Sequence, residues 1–269
     1  MYEAFYGLKE NPFKLSPDME YFFVTPKIKS LLDLLHYGLK QNVGFMMITG
    51  EVGVGKTSFL RYFLNQLNHN VERAYLFNPT FRSSEDLLSF FLLDLKVIDK
   101  IDPFASKSIL LQKMYNYLLS QYEKGKKVLF IIDDAQAAPD FILEELRLIS
   151  NFETNKDKLI QILLVGQPEL RQKIESPSLR QLAQRIAIKA KMEPLNREET
   201  ADYISYRLLK AGQTNLFDKK AIKLIHKASK GLPRLINLIS ERALIAGYVY
   251  TKPKIGKKEV KMALKDLEI

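Results

Sequence analysis

A glycine-rich segment, Gly50-Glu51-Val52-Gly53-Val54-Gly55-Lys56-Thr57, joins the apolar run Phe45–Thr49 to a stretch of helical spacing at Thr57–Leu67. It matches the pattern G-x-x-x-x-G-K-[ST]. Glycines let the backbone turn its N–H groups inward around phosphate oxygens, and the following helix N-terminus favours negative charge. A strand before the segment and a helix after it are the context that this mechanism requires. The segment therefore predicts a phosphate-binding loop.

The residue types of this loop predict ATP and Mg²⁺ as cofactors. Lys56 is expected to place a positive charge on the β- and γ-phosphates, and Thr57 to offer a hydroxyl ligand to Mg²⁺. The alternative is a glycine-rich turn without a ligand, which a second motif further along the chain disfavours. The predicted nucleotide contacts are Gly50, Glu51, Val52, Gly53, Val54, Gly55, Lys56, Thr57 and Ser58.

That second motif is an apolar strand, Val128–Ile132, followed by two carboxylates, Asp133 and Asp134. Behind a phosphate-binding loop this is the Walker B pattern. Asp133 is expected to hold the magnesium ion through water, and Asp134 to polarise the water that converts ATP to ADP and phosphate. The alternative is a strand that ends in an Asx-type turn. The two motifs together predict an ATPase.

Three further polar residues lie near predicted strand ends. Gln167 follows the run Ile160–Val165, so it is expected at the carboxyl edge of the sheet, where ligands bind. There it would orient the water from the γ-phosphate side, or else bond to local backbone as a loop amide. Arg180 and Arg185 precede the last strand, where an arginine can reach a neighbouring subunit's nucleotide as a finger. An ordinary surface arginine is the alternative for each.

The chain alternates short apolar runs with longer amphipathic stretches, which predicts an α/β fold with a parallel sheet between helices. After Pro194 no strand pattern recurs, and Asn196 with Glu199 resembles a helix capping box. Asp218 is placed to cap a second helix. We predict a nucleotide-binding domain at 1–194, with an N-terminal linker at 1–25, and a small all-helical lid at 195–269. The predicted strands are Phe45–Thr49, Ala74–Phe77, Val128–Ile132, Ile160–Val165 and the half-exposed Ile186–Met192.

The composition of the chain limits the class of protein and the kinds of site that it can contain. The 269 residues carry 41 Lys+Arg and 31 Asp+Glu, a net charge of +10, with 46% hydrophobic and 27% charged residues. These fractions are ordinary for a globular chain. Cysteine is absent and the three histidines are far apart, so neither disulfides nor a zinc site is predicted. No signal peptide and no uncharged apolar run of roughly 18–20 residues is found, which predicts a cytoplasmic protein.

The whole chain resembles the AAA+ ATPases, and within them the ExeA/GspA group of secretion and pilus-assembly ATPases. Gly231-Leu232-Pro233-Arg234-Leu235-Ile236-Asn237 resembles the sensor-2 motif. The other segments that carry the resemblance are Phe5–Leu8, Asn11–Phe13, Ser16-Pro17-Asp18, Asp133-Asp134-Ala135-Gln136, Leu146–Glu153 and Val165–Leu170.

The resemblance implies a three-layer αβα P-loop NTPase fold, a five-stranded parallel sheet of order 5-1-4-3-2 and a four-helix lid. It implies oligomerisation into rings or filaments, with Gln167 as sensor 1, Arg234 as the sensor arginine and Arg185, ahead of Arg180, as the finger. Asp134 departs from the group, which usually has Glu at this place. Longer members continue into a membrane span and a peptidoglycan-binding domain, so a partner at the inner membrane is expected to supply those parts here.

Three functional hypotheses follow. The first is an ATPase that drives assembly of a secretion or type IV pilus-like machine. The second is a DNA-targeting regulator that partners a transposase, because TniB/TnsC-like ATPases share this short core and the net charge of +10 suits double-stranded DNA. The third is a nucleotide-gated scaffold with little hydrolysis, for which the only support is the shorter side chain of Asp134.

Overall fold

The computed structural model describes residues 1–16 and 18–269; Pro17, which belongs to one segment of the family resemblance, lies outside the described residues. Its contacts divide the chain into two compact units. The sheet unit comprises Ile28–Gly50 and Phe63–Met192, and the lid unit comprises Met1–Lys27, Glu51–Tyr62 and Glu193–Ile269. The domain boundaries predicted from the sequence stay a prediction.

The sheet unit is built on five parallel strands in the order β2-β3-β4-β1-β5, which confirms the predicted order. Apolar runs fill strands that helices cover on both faces, so every residue of β1 and β4 is buried. The fold is the predicted three-layer αβα arrangement. The strands are β1 Phe45–Gly50, β2 Val71–Leu76, β3 Lys127–Ile132, β4 Gln161–Gly166 and β5 Ile186–Met192.

Helices follow the strands and continue alone after β5. Two short 3₁₀ helices, Ala135–Ala137 and Pro177–Leu179, separate some of them. The α-helices are α1 Tyr2–Tyr6, α2 Pro26–Lys40, α3 Lys56–Gln66, α4 Ser84–Asp94, α5 Lys107–Glu123, α6 Asp140–Ile149, α7 Pro168–Ile174, α8 Arg180–Arg185, α9 Arg197–Lys210, α10 Lys219–Ser229, α11 Pro233–Val249 and α12 Lys257–Asp266. The predicted four helices after β5 are confirmed as α9 to α12.

Strand β5 lies at an edge of the sheet and alternates in burial. Ile186 and Ile188 are buried, whereas Lys189 and Lys191 are exposed. β5 pairs with β1 only. At this margin of the sheet one face of the strand meets the core, and the other face is exposed to solvent, which explains the alternation. The half-exposed strand predicted from the sequence is confirmed.

The lid unit has its own apolar core, to which the chain's first residues contribute. Tyr2, Tyr6, Leu8 and Phe13 are buried together with residues of α9 to α12. The buried Arg207 of α9 links the N-terminal segment to this core, because its guanidinium donates to the Pro12 carbonyl and to the Tyr203 hydroxyl. The N-terminal segment is therefore held by both apolar packing and buried hydrogen bonds.

The helix starts of the lid follow the local signals in the sequence. The Asn196 side chain accepts from the Glu199 amide at 2.9 Å, and the Glu199 carboxylate accepts from the Asn196 amide at 2.8 Å. Asp218 Oδ1 accepts from the Ala221 amide at 2.6 Å. Each bond satisfies an amide that the first helical turn leaves unpaired. The predicted capping box and the predicted cap of α10 are confirmed.

Within residues 1–16 and 18–269, no helix combines the length and the apolar character needed to cross a membrane.

Candidate functional site

The glycine-rich loop follows β1 and adopts the curled backbone that its sequence predicts. Gly53 and Gly55 have φ values of 80° and 102°, a region that other residues rarely enter. The Val54 amide donates to the Glu51 carbonyl at 3.2 Å, which closes a turn, and Val54 is buried. Val52, by contrast, is exposed at the tip. The loop thus has a packed base and a tightly curled glycine backbone that leads directly into α3.

Lys56 begins α3 and is 8% exposed. Its ammonium donates to the Glu51 carbonyl at 3.1 Å, so the charge lies over the loop that precedes it. Thr57 is exposed on the first turn of α3, and Ser58 is half-buried beside it. A positive charge, a hydroxyl and the amide end of a helix are thereby gathered within three residues, as binding of a phosphate chain requires.

The structure brings Arg234 to the same loop. Arg234 is the second residue of α11, and its amide donates to the Gly53 carbonyl at 3.2 Å. A Cβ atom on Gly53 would lie only 3.1 Å from Arg234 Cβ, so the close approach depends on glycine. The predicted sensor arginine and the predicted phosphate loop therefore form one cluster within the lid unit.

In the sheet unit, Asp133 follows β3 and is 5% exposed. One carboxylate oxygen, Oδ2, accepts from the Tyr75 hydroxyl at 2.8 Å, and Oδ1 accepts from the Asp134 amide at 2.9 Å. The Asp133 amide donates to the Leu76 carbonyl at 2.8 Å. Donors to both oxygens fix the orientation of the buried carboxylate.

Asp134 and Gln167 are linked through a third side chain, Gln136. Asp134 is exposed in the left-handed conformation with φ 50°, and its Oδ1 accepts from Gln136 Nε2 at 3.2 Å. Gln136 Oε1 accepts from the Gln167 amide at 3.0 Å. Gln167 is half-buried at the start of α7, and its side chain does not cap that helix. Gln136 thus fixes the Asp134 carboxylate relative to the carboxyl end of β4.

The two candidate fingers lie at opposite ends of α8. Arg180 begins this helix and is exposed. Arg185 ends it and is half-buried, with one guanidinium nitrogen donating to Asn151 Oδ1 at 2.5 Å and to Ser150 Oγ at 3.2 Å. The structure therefore anchors Arg185 at the end of α6.

Sequence reasoning gave no role to Tyr75 or to Gln136, although both contact candidate site residues. Tyr75 lies in an apolar run that predicts a strand, so its hydroxyl gave no separate signal. Its place near the carboxyl end of β2, the edge at which Asp133 follows β3, could have indicated it. Gln136 stands three residues after Asp133, within a segment used only for the family resemblance.

We expect Tyr75→Phe to raise the magnesium concentration that half-saturates ATP hydrolysis by about 10-fold, the usual effect of removing a hydrogen bond to a metal ligand. The ring is kept, so packing against Phe77 remains and only the donor to Asp133 is lost. A magnesium titration at saturating ATP measures the change. Tyr37→Phe, at an exposed tyrosine, is the control. An unchanged titration would show that Tyr75 does not position Asp133 for a metal.

Residues 39–174, half of the chain, match the AAA domain family. The chain belongs to the AAA domain family. The match spans the glycine-rich loop, Asp133, Asp134 and Gln167.

The chain is also 39% identical over 264 residues to General secretion pathway protein A of Aeromonas hydrophila, which confirms the resemblance to the ExeA/GspA group. The alignment covers 98% of this chain and 48% of the relative, so the chain spans about half of that protein's length.

Solved structures with the same fold include two of much lower identity. The Cdc6p protein of Pyrobaculum aerophilum aligns with a TM-score of 0.71 at 18% identity, covering 95% of this chain and 70% of that one. The RuvB Holliday junction branch migration motor of Thermotoga maritima aligns with a TM-score of 0.60 at 18% identity, covering 95% and 73%. At this identity the likeness concerns the fold alone.

Proposed function

We propose that this protein binds ATP with Mg²⁺ and hydrolyses it. The observation that carries the proposal is the glycine loop, in which Gly53 and Gly55 hold a left-handed backbone directly before Lys56, in a chain of the AAA domain family. Lys56 and the loop amides would hold the phosphate chain. Arg234, which contacts the loop through Gly53, would neutralise charge on the same phosphates.

The polar groups present suit a magnesium ion. Asp133 offers a buried carboxylate fixed by two donors, and Thr57 offers an exposed hydroxyl. Magnesium prefers oxygen ligands, keeps several waters and binds through one or two protein groups plus phosphate oxygens, which matches so small a donor set. When bound, the ion would supply positive charge against the phosphates. Asp133 and Thr57 would hold and orient it.

Asp134 is the proposed base, and Gln167 the residue that orients the water. The bond from Gln136 fixes Asp134 while leaving it exposed to solvent, so its carboxylate is both oriented and accessible. Its side chain is one methylene shorter than the usual Glu, which favours slow but real turnover. Activation of water by Asp134 is the step that distinguishes an ATPase from a nucleotide-gated scaffold.

Asp134→Asn tests the proposal directly. We expect the steady-state rate of phosphate release to fall by about 10²-fold or more, because the amide accepts no proton, while ATP affinity stays within a few-fold. Asp99→Asn, at an exposed loop aspartate, is the matched control. A variant rate equal to that of the unaltered protein would exclude Asp134 as the base. A basal rate that also persists in Lys56→Ala would point to a contaminating ATPase.

We further propose that the protein assembles into a ring or filament with ATP and serves a secretion or pilus machine at the inner membrane. The support is the 39% identity to General secretion pathway protein A. Light scattering with and without ATP and Mg²⁺ measures the mass. A mass that stays at that of one 31.1 kDa chain under all conditions would contradict assembly.

A further inference from the structure

Two helices of the lid unit and the residues beside them carry a dense set of lysines. They lie on α10, directly after it, in the loop before α12 and on α12, and all of them are exposed. The two segments 217–230 and 251–265 contain no arginine and only two acidic residues. We call the following residues the lysine surface: Lys219, Lys220, Lys223, Lys227, Lys230, Lys252, Lys254, Lys257, Lys258, Lys261 and Lys265.

The two helices that carry these lysines start side by side. Phe217 and Ile255 form a parallel bridge, and the Asp218 amide donates to the Ile255 carbonyl at 2.9 Å. From there α10 and α12 pack against each other. Lysines recur every fourth residue on both, at 219, 223 and 227 and at 257, 261 and 265. Each row therefore places a charge about every 6 Å along its helix.

None of these lysines forms an ion pair within the described part of the chain. The carboxylates on the two helices and at their starts have other partners, because Asp266 pairs with Arg242 at 3.7 Å, and Asp218 and Glu259 cap helix starts. Asp218 accepts from the Ala221 amide at 2.6 Å, and Glu259 accepts from the Gly256 amide at 2.9 Å. Like charges four residues apart repel, and lysines in a first helical turn oppose the helix dipole. The arrangement costs stability that an external polyanion would restore.

The chemistry of the surface favours lipid headgroups over nucleic acid. Arginine, whose planar guanidinium forms paired hydrogen bonds with phosphates and bases, is absent from both segments. Lysine carries a compact point charge, which suits the diffuse negative potential of a membrane surface. Two rows of lysines on adjacent helices form a broad array of charges, whereas binding in a DNA groove calls for a single helix. Tyr250, the exposed residue that follows α11, stands two residues before Lys252, and tyrosine rings favour the headgroup region of a membrane. We propose that the lysine surface binds an anionic phospholipid membrane.

The test is sedimentation of the full chain with vesicles. One set is phosphatidylcholine alone, and the other contains about one third phosphatidylglycerol, which supplies the anionic charge. We expect binding to the second set only. The triple variant Lys257→Gln, Lys261→Gln and Lys265→Gln keeps good helix formers and should lose about 100-fold in affinity, the value expected for three lysines near a charged surface.

Two controls isolate the surface from net charge and from the nucleotide. Lys100→Gln, Lys113→Gln and Lys124→Gln remove three exposed lysines from the sheet unit, and binding should stay within about threefold. Lys56→Ala should still bind vesicles, so failure of the ATPase proposal leaves this one standing. Circular dichroism confirms that both triple variants are folded.

Three outcomes would overturn the proposal: no binding to anionic vesicles, equal losses in the two triple variants, or displacement from vesicles by double-stranded DNA at a lower phosphate concentration. The last outcome, with DNA affinity lost in the α12 variant, would assign the lysine surface to DNA.

Discussion

Lys56→Ala is expected to lower kcat/KM for ATP by at least about 10²–10³-fold, the usual cost of removing one fixed charge or donor from a developing phosphoryl charge. Lys56 is 8% exposed, and its ammonium donates to the Glu51 carbonyl at the base of the loop. Its position is therefore set before nucleotide arrives, and little reorganisation is needed on binding. Alanine removes the charge but retains high helix propensity at the first residue of α3.

Binding and hydrolysis should both be measured for this variant. A ligand that binds only the folded state raises the melting temperature, so ATP with Mg²⁺ should stabilise the unaltered protein and leave Lys56→Ala unmoved. Lys124→Ala, at an exposed lysine, is the control and should respond normally. If Lys56→Ala melts as the unaltered protein does without ATP, the loss is not due to misfolding. A full thermal response to ATP in Lys56→Ala would contradict the proposed role.

The positions of β1, β3 and β4 were predictable because each of these strands is a nearly unbroken apolar run that ends at a turn or a polar group. β3 shows this most clearly, since the run stops at Asp133. The order of the strands came from the family resemblance instead, because apolar runs contain no information about their neighbours. β2 begins at Val71, three residues before its predicted start, because Glu72 and Arg73 interrupt the apolar pattern of this edge strand.

Short helices were the main omission from the sequence prediction. α1, α7 and α8 have five to seven residues, too few for a helical period to stand out. α7 did carry a signal, because Pro168 is favoured at the first position of a helix and stands two residues after the end of β4. Tertiary packing stabilises such short helices, and packing is not visible in a single sequence.

Contacts among the site residues were less predictable than the residues themselves. Motif spacing identified Asp133 and Asp134, but the bond from Tyr75 depends on the register that pairs Leu76 with Ile132. The bonds of Gln136 depend on the left-handed backbone of Asp134, which a non-glycine residue enters rarely. Register and backbone exceptions are decided by the whole fold, so a linear pattern does not reveal them.

Arg185→Ala is expected to lower the ATP turnover rate by about 10³-fold or more, the value of an arginine finger, with little change in nucleotide affinity. We propose that Arg185 acts on the nucleotide of a neighbouring subunit, because it ends α8 just before β5 and is held by Asn151 and Ser150. An anchored guanidinium is pre-oriented, which suits a group that acts in the transition state.

Three variants and one mixing experiment decide between a finger and a structural arginine. Asn151→Ala removes the shorter of the two anchoring bonds while leaving the guanidinium, so a purely structural role predicts similar losses for Arg185→Ala and Asn151→Ala. A finger predicts a much larger loss for Arg185→Ala. Arg180→Ala, on the same helix, should change turnover by less than about threefold if its arginine is an ordinary surface residue.

Mixing Arg185→Ala protein with Lys56→Ala protein tests action between subunits. A Lys56→Ala subunit retains its arginine and lacks its own phosphate charge, whereas an Arg185→Ala subunit retains the phosphate site and lacks the finger. In mixed oligomers some sites would combine an intact loop with an intact arginine, so part of the activity should return. If equimolar mixtures that demonstrably co-assemble stay as inactive as the separate variants, Arg185 does not act on a neighbour. The loss in Arg185→Ala would then have to arise within its own subunit.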